Sequence, residues 1–234
     1  MPQKIYNLSG VGEVLVVKRK GAKNMRLSID QRQRVRVSLP VYMPYALGLD
    51  FARKRQDWII KHLGTRSVKP LINGSRIGKS HRLVIIESND GKTSTRLVGQ
   101  EVRITVQPDS GTSALNDTIE QACERALRIE AQNLLTERLR QLAIEHNYSY
   151  KEVKIRKLKA RWGSCNNSGV ITLSIYLVQL PWAMIDYVLL HELAHTRHMH
   201  HQQAFWNELK SRLPHVAELR KQIRAYSPTL LPDC

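Results

Sequence analysis

The stretch Pro181-Trp182-Ala183-Met184-Ile185-Asp186-Tyr187-Val188-Leu189-Leu190-His191-Glu192-Leu193-Ala194-His195 decides how this chain reads. Apolar Ile185, Val188, Leu189 and Leu193 recur at helical spacing, with His191 and His195 on a neighbouring stripe. Pro181 suits the first turn of such a helix, where its missing N–H costs nothing. Two imidazoles four residues apart lie on one face of a helix, about one turn apart, and can grip a single metal ion. Glu192, between them, can take a proton from a water held by that ion. His-Glu-x-x-His is the arrangement zinc hydrolases use.

A catalytic zinc takes three protein ligands and keeps one position open. His198, His200, His201 and His215 follow the motif closely, and so does Glu208. His198 shares the face of His191 and His195 if the helix continues. It then stands about 10 Å from His191 along the axis, too far for a shared ion bound at about 2.1 Å. The chain must turn before it supplies a third ligand. His201, ten residues after His191, has the spacing of the metzincin motif, in which a glycine ends the helix. Here His198 occupies the glycine's place, so His200 or a distorted last turn must absorb the reversal; histidine enters left-handed conformations more often than most residues. His201 is the expected third ligand and Glu208 the alternative. His198, His200 and His215 read as solvated or supporting histidines.

Upstream stand Lys159-Ala160-Arg161-Trp162-Gly163-Ser164-Cys165 and Gly169-Val170-Ile171-Thr172-Leu173-Ser174-Ile175-Tyr176-Leu177. Downstream stands His201-Gln202-Gln203-Ala204-Phe205-Trp206. Together with Leu180-Pro181, Asp186-Tyr187-Val188 and the His-Glu motif, these resemble the YgjP-like metallopeptidases, compact zinc-dependent proteins related in site design to the SprT-like and WLM groups. The likeness is strongest over residues 155–210 and extends over nearly the whole chain. It implies zinc on His191, His195 and His201, with Glu192 as general base. Ser174 and His200 stand where that family often has asparagine.

The residues support a compatible local reading. Val170 to Tyr176 is β-branched and alternating, and Asn166-Asn167-Ser168-Gly169 is a turn signal. Arg161–Cys165 and Val170–Tyr176 therefore read as a hairpin leading into the site helix. A sheet edge beside the metal can hold an extended peptide by strand addition, and strand 170–176 is the one expected to align it. Trp162 and Cys165 read as packing residues. Tyr187, four residues before His191, and Arg161 on the hairpin are the candidate oxyanion or substrate contacts.

With 234 residues, 42% hydrophobic and 24% charged, the chain has the composition of a globular protein. No run is long and apolar enough to cross a membrane, and the first residues lack a signal-peptide core. Cys123, Cys165 and Cys234 are widely spaced and imply no disulfide framework, so a cytoplasmic location is expected. Formal net charge is +17. The excess concentrates in residues 1–110, with clusters at Lys18-Arg19-Lys20, Arg32-Arg34-Arg36 and Arg53-Lys54-Arg55. Such a field favours nucleic acid or another polyanion. No helix-turn-helix, RNP or zinc-finger signature accompanies it.

Along the chain, residues 12–19, 24–29 and 33–38 read as strands, Pro44–Leu63 as a helix with Phe51, Trp58 and Ile59 inward, and 82–87 and 101–106 as strands split by Ser88-Asn89-Asp90-Gly91. Pro108-Asp109-Ser110-Gly111 reads as a connector. Asp117-Thr118-Ile119-Glu120 resembles a capping box opening a long helix that ends near His146-Asn147. Strand-like 152–158, the hairpin, the site helix and two helices broken at Pro214 come next. No internal repeat stands out. The expected fold is α+β: a basic β-rich part (1–110), a helical zincin-like metallopeptidase core with a small sheet (111–226) and a tail (227–234). The expected function is zinc-dependent peptide hydrolysis, acting on proteins near nucleic acid. The alternatives are a nucleic-acid-binding protein with a structural or inactive zinc site, and a metal-dependent hydrolase of another bond.

Overall fold

The computed structural model describes residues 2–29, 34–64, 71–88, 93–107 and 112–231. Arg32, the turn residues 89–91, the connector 108–111 and the last residues of the tail, with Cys234, lie outside them. The fold is mixed α and β, in two compact units, Met1–Lys69 and Pro70–Cys234.

In the first unit β1 (Gln3–Leu8), β2 (Gly12–Arg19), β3 (Arg26–Ile29) and β4 (Val35–Pro40) form a sheet in the order β1-β2-β4-β3. β2 and β4 run parallel, and each carries an antiparallel partner on its outer side. The Arg34–Val37 alternation behaves as its period demands: Val35 and Val37 are buried while Arg36 is exposed. Helix α1 (Tyr45–Arg53) lies close on this inner face. A Cβ on its Gly48 would come within 2.6 Å of Val16, so only glycine permits the approach. The helix expected to run unbroken to Leu63 instead stops at Lys54. The Arg55 N–H bonds to the Ala52 carbonyl in a tighter turn, and α2 (Gln56–Gly64) starts anew with Ile59 in the core. Trp58, expected inward, is 43% exposed and stacks on His62.

The second unit opens with β5 (Arg76–Ile77), β6 (His81–Glu87), β7 (Ser94–Val98) and β8 (Glu101–Val106), in the order β5-β6-β8-β7. The topology of the first sheet recurs: a central parallel pair, β6 and β8, flanked by antiparallel partners. No sequence repeat announces it. These strands belong with the carboxy-terminal helices, not with the first sheet. Ile77, Leu83, Val102, Ile104 and Val106 share one core with α3 (Thr112–Glu130) and the elements that follow it. The division between units therefore falls near residue 70, some forty residues before the boundary at 110 suggested by charge.

Helix α3 begins at Thr112, so Asp117 lies inside it and does not start it. It continues through a π-helical turn, Ala131–Leu135, into α4 (Thr136–Glu145). Cys123, Leu127, Ala131, Leu135 and Leu139 are all buried at steps of four. A regular α-helix would rotate such a stripe by about 40° per step; the wider π turn takes up part of that drift. Asn147, in the left-handed region at φ 57°, closes the helix as a C-terminal cap.

β9 (Glu152–Arg156), β10 (Gly163–Cys165) and β11 (Val170–Ser174) form a third sheet in the order β10-β11-β9. A 3₁₀ turn (Ile175–Gln179) leads to α5 (Trp182–Ala194), followed by α6 (Gln203–Arg212) and α7 (Val216–Ile223). α5 is buried nearly all round, as expected of a helix through the middle of a core. Arg138 of α4 clamps it by two parallel bonds to Asp186, of 2.8 and 2.7 Å. Among the described residues no helix is long and apolar enough to cross a membrane.

Candidate active site

α5 carries His191 and Glu192 on its last turn, and His195 caps its end. The chain then reverses over residues 196–202. Thr196, Arg197 and His198 bond back to Leu193 and Ala194, and the Gln202 N–H bonds to the His200 carbonyl. Among the described residues none from 195 to 202 has a positive φ, so a distorted last turn absorbs the reversal and no left-handed histidine is needed. His201 is thereby returned to the motif.

The three imidazoles meet. One ligand atom from each of His191, His195 and His201 lies within 4.8 Å of the others, and Nε2 of His191 and of His201 are 3.0 Å apart. Nitrogens bound to one ion at about 2.1 Å with tetrahedral angles lie about 3.4 Å apart, so small side-chain rotations suffice for a shared ion. Glu208 is not in this group. Its carboxylate accepts from Tyr148 and Arg197, each at 2.8 Å, and lies 3.6 Å from Arg212. Its work is to tie α6 to the end of α4 and the reversal loop. The exposed His200 and His215 rings also lie outside the cluster.

Electrostatics favour the ligand form of the rings. Burial holds His191 down to about 3, helped by the neighbouring His195, His201 and Arg220, and burial also lowers His195. Neutral imidazole is the form that binds a metal. His195 Nδ1 lies 3.0 Å from the His198 carbonyl, which can only accept. Nδ1 therefore carries the proton and leaves Nε2 its lone pair. Two unmet polar groups concentrate here: Nδ1 of His191 and Oε2 of Glu192 are buried without a protein partner. The donor set, its neutrality and these unmatched atoms fit a bound metal ion.

Glu192 is 5% exposed, and burial raises its carboxyl to about 8, with Arg161 pulling the other way. It lies against β10: a Cβ on Gly163 would come within 2.8 Å of its Cγ and Oε1. Phe205 of α6 is fully buried, with its ring centroid 4.7–4.9 Å from all three imidazoles. Trp206 stacks on His201, donates its indole N–H to the His201 carbonyl, and carries the Arg220 guanidinium 4.5 Å above its ring. Gly163 and Phe205 stand in the blocks that carry the resemblance, but their contacts with Glu192 and the imidazoles, like those of the His198 carbonyl and Arg220, appear only once the chain is folded. Tyr187 is buried with its ring 5.9 Å from His191, and Arg161 is exposed at the start of the hairpin.

One expectation about the sheet is corrected. β11 pairs with β10 on one side and β9 on the other, so it has no edge for an added strand. The edge strands are β10 and β9, and β10 is the one against Glu192. Trp162 and Asn166 exchange hydrogen bonds with Ser174 and Val170. In an antiparallel ladder the alternate residues, Gly163 and Cys165, therefore turn their N–H and C=O groups outward.

No curated protein matches this chain. Among solved structures, the metallopeptidase zymogen abylysin of Pyrococcus abyssi is 27% identical, with a TM-score of 0.36, over 38% of this chain and 91% of its own. The zymogen jannalysin of Methanocaldococcus jannaschii is 22% identical, with a TM-score of 0.35, over 38% of this chain and 93% of its own. The model of the YgjP-like metallopeptidase domain matches residues 23–226, and to that family the chain belongs.

Proposed function

We propose that this protein is a zinc peptidase in which His191, His195 and His201 hold the ion and Glu192 is the general base. The observation that carries the reading is the convergence of three imidazoles beside a buried carboxylate with one unpartnered oxygen. Zinc suits an all-imidazole donor set. When bound, it would acidify a water and polarise the substrate carbonyl.

The chain's own residues supply the rest. Outward-facing groups of Gly163 and Cys165 hold an extended peptide along β10, which brings its backbone past Glu192. As the water oxygen adds to the peptide carbonyl carbon, Glu192 takes the water's proton. When the C–N bond breaks, Glu192 returns that proton to the departing nitrogen. Burial raises the metal-free carboxyl to about 8, which favours its proton-holding form; a cation bound beside it would lower it again and free the carboxylate to act as base. Tyr187 and Arg161 are the side chains that would steady the carbonyl oxygen.

Metal content of the parent and of His201→Ala, by elemental mass spectrometry after dialysis, tests the ligand set. The parent is expected to hold about one zinc per chain, the variant far less. Glu192→Gln is expected to keep the zinc and lose peptide hydrolysis. Full zinc retention in His201→Ala, or full activity in Glu192→Gln, would overturn the assignment.

A further inference from the structure

The sheet of β5 to β8 has two faces of opposite character. Leu83, Val102, Ile104 and Val106 point into the core. By register the other face carries Arg82 beside Glu101, Val84 beside Arg103 and Arg96, and Ile86 beside Thr105 and Ser94. Arg76, opposite Arg82, extends it onto β5. This face is open: Ile86 and Val98 are 41% and 44% exposed, and Arg103 and Glu101 side chains 41% and 43%.

Two pairs of arginines on this face stand directly opposite each other across neighbouring strands, Arg76 with Arg82 and Arg96 with Arg103. Like charges in that position destabilise a sheet. The acidic group among them, Glu101, is taken up by Arg103 at 2.6 Å. Nε of Arg103 is buried with no hydrogen-bond partner. At one end of the face, where the β5–β6 and β7–β8 turns meet, lies a cleft of about 690 Å³ whose wall includes Arg76, Lys79, Arg82 and Arg103 together with His81 and the acidic Glu101. The Arg96–Arg103 pair sets like charges opposite each other, and an anion spanning the arginines would relieve that repulsion.

We propose that this arginine face is a nucleic-acid-binding surface that grips the phosphate backbone without reading bases. Guanidinium forks match phosphate oxygens in pairs. Arginines on all four strands, Arg76, Arg82, Arg103 and Arg96, suit a chain of phosphates better than a single anion. Among the described residues the face carries no tryptophan, tyrosine or phenylalanine on which bases could stack, so recognition is by backbone and independent of sequence. Ser94 and Thr105 add hydroxyl donors in the same register. The surface stands independently of the peptidase reading.

The test is fluorescence anisotropy of the full chain with a labelled 20-mer duplex and its single strand, titrated at several salt concentrations. The triple variant Arg82→Gln, Arg96→Gln, Arg103→Gln is compared with a charge-matched control, Lys20→Gln, Lys23→Gln, Lys54→Gln. Three lost phosphate contacts lower the slope of log K against log salt by about 2.7 on duplex. The arginine variant is expected to bind at least about ten-fold more weakly at 0.1 M salt, with the control within about two-fold of the parent. Equal losses in both variants would show diffuse charge and overturn the proposal. So would unaltered binding in the arginine variant, or capture of a poly-glutamate peptide in preference to either nucleic acid. Circular dichroism and melting of both variants establish that each is folded.

Discussion

Gly163→Ala isolates the position of Glu192 from everything else at the site. Gly163 is outside the left-handed region, so alanine fits its backbone, but the new Cβ would lie 2.8 Å from Cγ and Oε1 of Glu192. Ordinary contact begins near 3.4 Å, so the carboxylate must retreat by about 0.6 Å. A misplacement of about 1 Å at a reacting group costs up to ~100-fold in rate. In proportion, 0.6 Å costs about 15-fold, or roughly 1.6 kcal/mol of barrier. What must move is the Glu192 side chain from its Cγ outward, and no backbone atom is among the nearest contacts. None of the imidazoles is touched. The assay is the turnover of a quenched fluorescent peptide library, with zinc content and melting temperature measured on the same preparation. The expected result is lower kcat with zinc and melting retained. Unchanged kcat would show that Glu192 is not the base or that its position is not critical. Loss of zinc would show that β10 supports the ligands and not the carboxylate.

Phe205→Ala removes the floor beneath all three imidazoles and is expected to cost about 3–5 kcal/mol and to loosen the metal; a melting temperature within about 2 °C of the parent would refute this packing role. Arg138→Lys keeps the charge but breaks the paired bonds to Asp186, whose side chain is 20% exposed. A loss of about 1 kcal/mol is expected in denaturant melts, and Arg138→Lys combined with Asp186→Asn should be no worse than the costlier single change, as a double-mutant cycle would report. Cys123 is fully buried, and burial, then Glu124, pushes its thiol up to about 12. Its unfolded thiol ionises near 8.5, so the unfolded chain releases the proton first and this group's contribution to stability falls as pH rises from about 8.5 towards 12. Mass mapping after iodoacetamide at pH 8 should find Cys123 unmodified in folded protein; rapid labelling there would contradict its burial.

The features legible in the sequence are the local ones. β8, and β4 from Val35 to Leu39, alternate cleanly because one face of each is buried. β1 and β7 are sheet edges whose apolar residues, Ile5 at 61% and Val98 at 44%, are substantially exposed, so no such pattern marks them. The Asp117 capping signal failed because residues 112–116 extend the helix ahead of it. At the site, ligand spacing was legible because His191 and His195 share a helix and His201 sits at the distance a reversal needs. Which strand edge stays free was not, since the parallel partner of β11, β9, begins eighteen residues earlier. Glu208 reads as a spare ligand in sequence and becomes an ion-pair hub only when Tyr148 and Arg197 arrive.

Both four-stranded sheets are two antiparallel ribbons joined along a single parallel seam, β2 with β4 and β6 with β8. Ribbon closure is local, whereas the seam joins segments about twenty residues apart and pairs slightly more weakly per residue. Each sheet is therefore expected to zip last along its seam and to part there first. Under load or in mild denaturant the sheet would open like a book along its spine, each half still paired. Amide exchange across Val14–Arg19 and Arg82–Glu87 would record that opening ahead of global unfolding.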